Sequence, residues 1–252
     1  MYSNRYIFIY ASLMVIVVAT LLSTAAMLLK PMQEKNEAVA KMQGILAATD
    51  IDASADSAIR LYREFITGEM VIDPEGNVLS IYRNGEFERG KQRAFDIDIK
   101  RELYAKSMGD DYVMPLYLAQ RNGESMYIVP LLGKGLWGPI YGNIAFGPDF
   151  NEVSGADFGH DKETPGLGAE INTDDFADQF IGKTIFTRDG EFTSVEVVKG
   201  GASSLPPDQR RHGVDAISGG TITSNGVTDM LENCLEGYVP FIEKHIVNKK
   251  PV

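Results

Sequence analysis

The chain contains a single cysteine, Cys234, in 252 residues. That scarcity excludes an intramolecular disulfide and any Cys-rich iron–sulfur or zinc site. Basic residues are also in deficit. Lys and Arg number 24 against 35 Asp and Glu, for a formal net charge of -11. Nucleic acid requires a basic face, so no nucleic-acid partner is expected. The same deficit argues against the soluble part lying flat on anionic lipid. No internal repeat and no low-complexity linker interrupts the sequence. No GxGxxG lies between a strand and a helix, and no nucleophile elbow is present. His212 and His245 sit in polar surroundings and receive no role.

One stretch alone is both long and free of charge, so a single membrane crossing is expected. Tyr6 to Leu29 holds 24 uncharged residues. At 1.5 Å per residue they reach about 36 Å, enough for a bilayer core. The run is longer than the core of a cleaved signal peptide, which favours an uncleaved anchor. The expected division is a cytoplasmic stub over 1–5, a transmembrane helix over 6–29 and a soluble domain over 30–252. Arg5 stands on one side of the anchor and Lys30, Lys35 and Lys41 on the other. That count alone mildly favours a cytoplasmic C-terminal side.

In the soluble part, Gln33 to Thr49 and Asp56 to Ile66 carry apolar residues at helix spacing. Glu69–Ile72 and Val78–Tyr82 flank Asp73-Pro74-Glu75-Gly76 and predict a hairpin. Met114–Ala119 and Met126–Leu132 flank Asn122-Gly123 and predict a second. Arg83 to Arg93 reads as a polar loop, and Ile97 to Lys106 is ambiguous. Ile140 to Phe146 and Ser194 to Lys199 read as strands, and Phe176 to Ile181 as a short helix or turn. A terminal helix is predicted over 225–246. Hairpins mixed with helices, without regular βαβ alternation, predict an α+β fold in one domain.

Four stretches could carry chemistry. Gly133 to Tyr141 places two glycines before Trp137, the only tryptophan. Alone, Trp137 reads as a core residue plugging a strand entrance; the alternative is a ring stacked on a flat ligand. His160 to Ile171 contains Glu163, Thr164 and the turn Pro165-Gly166-Leu167-Gly168, whose exposed N–H groups suit an anion or the polar edge of a ring. Its acidic residues match no familiar metal spacing. Lys199 ends a strand before two glycines, where it is either an ordinary strand-end lysine or a partner for a phosphate or an anionic flavin. Asp215 to Thr228 concentrates Ser218, Gly219, Gly220, Thr221, Thr223 and Ser224 just before a helix. It is either a capped helix entry or a loop offering the Thr221 hydroxyl beside an anion-favouring helix N-terminus. Cys234, on the apolar face of the helix, reads as a small buried hydrophobe.

Asp215-Ala216-Ile217-Ser218-Gly219-Gly220-Thr221 resembles the acceptor motif of proteins that carry FMN linked through phosphate to a threonine. Gly220 departs from the usual alanine. With GKGLWGPIYG, HDKETPGLGAEI and the single anchor in order, the chain resembles, over nearly its whole length, the NqrC family of the Na+-translocating NADH:quinone oxidoreductases. The RnfG family of the Rnf electron-transport complexes is similar in its anchor and flavin threonine and is the alternative; a non-redox anchored scaffold is the alternative of another class. The resemblance implies one covalent FMN on Thr221. It also implies a flavin transferase that uses FAD and Mg2+, releases AMP and recognises a sequence including Asp215. It implies ring packing by Trp137 and Leu167, polar contacts from Glu163 and Thr164, and charge balance from Lys199, with Ser218 and Gly219 in the attachment loop. The partners implied are the other members of an Nqr assembly of six subunits that moves electrons from NADH toward ubiquinone. The soluble domain would lie on the outer, periplasmic face of the cytoplasmic membrane, against the charge count. No side chain is implied as a catalytic acid, base or nucleophile.

Overall fold

The computed structural model describes residues 3–121 and 123–247. Asn122 of the second predicted turn and residues 1–2 of the stub lie outside them. The chain divides into two compact units, Met1–Lys41 and Met42–Val252. Residues 4–41 of the first unit belong to helix α1 (Asn4–Ala47), which is long and apolar enough to cross a membrane. Two separate helices were expected around Pro31, yet α1 runs through it without a break.

The second unit is built on a seven-stranded antiparallel sheet ordered β3-β2-β1-β4-β5-β6-β7. The strands are β1 (Ile66–Ile72), β2 (Val78–Arg83), β3 (Glu86–Arg89), β4 (Met114–Arg121), β5 (Glu124–Lys134), β6 (Pro139–Phe146) and β7 (Val153–His160). Both predicted hairpins form, as β1–β2 and β4–β5. A second, two-stranded parallel sheet pairs β8 (Glu196–Val198) with β9 (Gly213–Asp215). The helices are α2 (Ala58–Phe65), α3 (Ile99–Met108), α4 (Asp174–Ala177), α5 (Thr221–Glu236) and α6 (Val239–Ile242). The α+β expectation holds.

Both faces of the large sheet are covered. Val129 and Leu131 of β5 join Val227, Met230, Leu231 and Leu235 of α5 in the main core. On the opposite face, Tyr117 and Ile128 are fully buried, as are Ile45 and Leu46 near the end of α1. Adjacent β5 residues such as Ile128 and Val129 are therefore both inside, as a strand buried on both faces requires.

The expected loop over 83–93 contains β3, turned through Asn84 (φ 49°) and Gly85 (φ 86°). Two positive φ values at Asn-Gly are the pattern of a two-residue hairpin. Strand β7 was not expected from the sequence, because Gly155 and Gly159 weaken its strand signature. Tertiary contact explains them. A Cβ on Gly155 would stand 2.3 Å from the Ala48 carbonyl oxygen, and one on Gly159 would stand 2.5 Å from the Tyr141 ring. The predicted terminal helix starts four residues early, at Thr221, and breaks at Gly237.

Glycines also set how closely α5 lies on the sheet. A Cβ on Gly226 would fall 2.4 Å from the Lys134 carbonyl oxygen, and one on Gly133 would fall 2.6 Å from Met230 Cβ. This approach brings the start of α5 beside the β5–β6 turn. Gly226→Ala forces the two backbones apart and is expected to cost about 1–3 kcal/mol, read by denaturant unfolding.

Asp157 of β7 pairs in register with Asn143 and faces Gly44 near the end of α1, where an added Cβ would lie 3.2 Å from Asp157 Oδ2. Burial, with a smaller push from Asp174, raises its carboxyl to about 6. The fold thus favours the protonated acid. Stability from this group is fully present below the unfolded value near 4 and is lost as the pH rises through about 6. Asp157→Asn is expected to flatten the stability profile across that window and to gain up to about 3 kcal/mol at pH 8, measured by denaturant melts at several pH values.

Candidate functional site

Three segments converge at the N-terminus of α5. The first is the β5–β6 turn, closed by the Gly135 N–H donating to the Gly138 carbonyl at 2.8 Å. It displays Leu136 and Trp137 to solvent, Trp137 at 63% exposure. The core reading of the tryptophan therefore fails, since its indole lies on the surface.

The second segment follows β7. The Thr164 carbonyl accepts from the N–H groups of Leu167 and Ala169, each at 3.1 Å, and Gly166 adopts a φ of 75°. This turn leaves Leu167 42% exposed and sends Glu163 inward to 5% exposure. The Thr164 side chain is exposed on the turn.

The third segment leads into α5. The Ile217 N–H donates to Ser224 Oγ at 3.2 Å and the Gly220 N–H to the Ile217 carbonyl at 3.0 Å. Gly219 has a φ of 75°, and a Cβ on it would stand 2.6 Å from Leu167 Cδ2, so Leu167 rests on a bare glycine. An alanine at Gly220 would place its methyl 3.0 Å from Ile217 Cγ2 and 3.3 Å from the Gly168 nitrogen. The loop would admit it after a shift of a few tenths of an ångström. Ser218 and Gly219 are exposed on this loop. Thr221 is also exposed, and it is the first residue of the helix rather than the tip of a loop.

Glu163 joins the three segments. Its Oε1 accepts from the Trp137 backbone N–H at 2.8 Å, and its Oε2 accepts from the Thr223 hydroxyl at 2.6 Å. A Cβ on Gly135 would lie 2.5 Å from Glu163 Oε1. A Cβ on Gly168 would lie 2.3 Å from Thr223 Oγ1 and 2.5 Å from Glu163 Oε2. Both glycines make room for the carboxylate. Instead of an open polar contact for a ring, the structure shows a buried bracket with both oxygens engaged. Thr223, Gly135 and Gly168 belong to this bracket and were not singled out from the sequence as its parts. The Gly-flanked motifs carry the signal, but nothing in the sequence shows which hydroxyl turns inward.

The parallel pairing of β8 and β9 sets Val198 opposite Asp215, and the Ala216 N–H donates to the Val198 carbonyl at 3.1 Å. Lys199 therefore emerges where the chain enters Ser218–Thr221. It is exposed and has no hydrogen bond or ion pair among the described residues. Asp215 Oδ1 accepts from the Ala202 N–H at 2.6 Å, which holds the turn beyond Lys199.

Helix α5 has no side-chain cap at Gly220 and no acidic residue in its first turn. Its first N–H groups and dipole favour an anion there. Exposed Trp137, Leu167 and Ile222 lie on the segments around that end. This donor set, with apolar surface beside it, fits a phosphate attached to a flat aromatic group.

A family profile described as FMN-binding domain matches residues 135–236, which contain all three segments. NqrC of the Na(+)-translocating NADH-quinone reductase of Vibrio alginolyticus is 32% identical, over 91% of this chain and 90% of that protein. Its Neisseria meningitidis counterpart is 31% identical, over 91% and 89%. The crystal structure of the same component from Parabacteroides distasonis superposes with a TM-score of 0.73 at 39% identity, covering 85% of this chain and 96% of that one. Shewanella oneidensis NqrC gives 0.64 at 25% identity, over 83% and 98%. Sequence, fold and the converging loops agree: this chain belongs to the NqrC family of the Na+-translocating NADH-quinone reductases.

Proposed function

We propose that this protein is the membrane-anchored, FMN-carrying electron-transfer subunit of a Na+-translocating NADH-quinone reductase, with the flavin phosphate esterified to Thr221. The observation that carries this reading is Thr221, exposed on the first residue of an uncapped α5 where the segments bearing Trp137 and Leu167 converge. When bound, FMN supplies the one- and two-electron chemistry. The protein supplies the rest. The first N–H groups of α5 would hold the phosphate oxygens. Trp137 and Leu167 offer apolar surface to the ring, Thr164 a polar edge, and Lys199 an unpaired cation that favours negative charge nearby. Ser218 and Gly219 shape the attachment loop. No acid, base or nucleophile is required of the side chains during electron transfer.

Attachment needs an FAD-dependent flavin transferase, for which Asp215 is part of the recognised sequence. The Thr221 oxygen forms the bond to phosphorus as AMP leaves. A covalent link retains the flavin on the outer face of the cytoplasmic membrane, where we place the soluble domain despite the lysines that follow the anchor. The division into a stub over 1–5, an anchor over 6–29 and a domain over 30–252 belongs to the same reading, as do the other subunits of the reductase as partners.

Mass spectrometry tests the attachment. After co-expression with the transferase, the peptide containing Thr221 is expected to carry the mass of FMN less water, with fragments placing it on that residue. An unmodified peptide, or FMN on Thr223, overturns the assignment.

A further inference from the structure

A concave site lies toward the other edge of the large sheet, with β4 and β5 between its strand β1 and the flavin-side strand β6. It is a groove of about 620 Å³ bordered by α2, β1 and β2. That size suits a small ligand. We propose that it binds a single-chain anionic amphiphile, with a carboxylate or phosphate head against Arg63, Arg83 and Arg93 and an alkyl chain along Met42, Ile59 and Ile66.

The arginines are placed rather than scattered. Arg93 Nε donates to Glu69 Oε2 at 3.3 Å, and its guanidinium stands 4.5 Å from the Tyr82 ring centroid. Glu69 is 3% exposed and also accepts from the Tyr62 hydroxyl and the Phe95 N–H, each at 3.1 Å. That carboxylate is fully engaged, while Arg93 remains 31% exposed. Arg83 lies across Gly68, where an added Cβ would meet Arg83 Cγ at 3.1 Å and Nε at 3.2 Å. Its own partner, Glu88, is half exposed and distant at 3.5 Å. Arg63, in the last turn of α2, has no partner among the described residues. The other acid of the lining, Glu64, pairs with Arg60 at 3.0 Å.

Glu69 is thus fully engaged and Glu64 is held in an exposed pair with Arg60, while the guanidinium groups keep free donors. Planar, forked donors suit carboxylate and phosphate oxygens. Three arginines against two glutamates in the lining, in a protein of net charge -11, form a local departure from its general charge. The same groove also carries apolar side chains, Ile59 standing one turn before Arg63 on α2. Ile59 is 36% exposed and Met42 half-buried, so apolar surface awaits cover. A ligand with both an anionic head and an alkyl chain matches this mixed lining.

The test is calorimetric titration of the full flavin-loaded chain in phosphatidylcholine nanodiscs, with empty nanodiscs as the blank. Octyl phosphate is the probe. Saturable binding is expected, weakened at least tenfold in Arg83→Gln, in Arg63→Gln and in Ile59→Asp. Octyltrimethylammonium and octyl glucoside should not bind, and inorganic phosphate should bind at least tenfold more weakly. Retained circular dichroism in each variant shows that folding is unchanged. Because the flavin loops are remote, flavin fluorescence should be the same in all variants, so failure here is distinguishable from failure of the flavin assignment. Equal uptake of all three octyl compounds, unchanged affinity in the folded variants, or inorganic phosphate binding as tightly as octyl phosphate each overturns the proposal.

Discussion

Thr221→Ala is expected to abolish the ultraviolet fluorescence of the denatured polypeptide on a gel, completely, while the protein still folds. Thr221 is exposed at the first position of α5, and its side chain makes no hydrogen bond among the described residues. Alanine is well tolerated in a helix, so the change in stability should stay within about 0.5 kcal/mol. Thr221→Ser retains an acceptor hydroxyl and should retain a fluorescent band. Thr223→Ala should behave in the opposite way. Thr223 is 1% exposed and its hydroxyl donates to Glu163 Oε2. Its loss leaves a buried carboxylate short of a donor, at a cost of roughly 1–3 kcal/mol, without removing the exposed acceptor. The pair of variants separates attachment from folding. A band that survives in Thr221→Ala and disappears in a folded Thr223→Ala would reassign the link to the inward-facing threonine.

The reversed roles of these two threonines show where the sequence stops being legible. Hairpins β1–β2 and β4–β5 were visible because apolar runs flank recognisable turns. Asn84-Gly85 carried an equally strong turn signal, but the charged strand after it, Glu86–Arg89, is exposed throughout and lacks any alternation. Strand β7 was hidden for a different reason: its glycines answer to Ala48 and Tyr141, which are distant in sequence. The start of α5 was hidden by Thr221, Thr223 and Ser224, residues that favour caps and turns locally. Two of their hydroxyls find partners only in the fold, Thr223 on Glu163 and Ser224 on the Ile217 N–H. The candidate loops themselves were legible, since glycine clusters beside a tryptophan or a threonine stand out. Their joint anchoring on a buried carboxylate was not, because burial is a property of the folded chain. Pro31 is the reverse case, a strong local stop signal that α1 overrides.

The bracket at Glu163 carries the second large expected effect. Glu163→Ala strands the Trp137 N–H and the Thr223 hydroxyl together and opens a cavity between them. Hydrogen bonds to a charged group contribute about 1.5–3 kcal/mol each, so a total loss on the order of 3–5 kcal/mol is expected. At this chain length that corresponds to a fall of roughly 6–20 °C in Tm. Glu163→Gln keeps one acceptor oxygen and should lose about half as much. Gly168→Ala attacks the same contact from the third side, by pushing a methyl to 2.3 Å from Thr223 Oγ1. It should cost about 1–3 kcal/mol. The double variant Glu163→Ala with Gly168→Ala should lose less than the sum, because removing the carboxylate relieves one of the two clashes. Trp137 is the only tryptophan, so intrinsic fluorescence reports on this turn specifically. In Glu163→Ala its emission should become more mobile, seen as lower anisotropy well below the global transition. Unchanged anisotropy together with an unchanged Tm would mean that the turn is held by something other than the carboxylate. If the bracket does hold it, the turn that carries Trp137 is fixed to the start of α5 by a residue that never needs to touch the flavin, and the rigidity of the site is set from beneath.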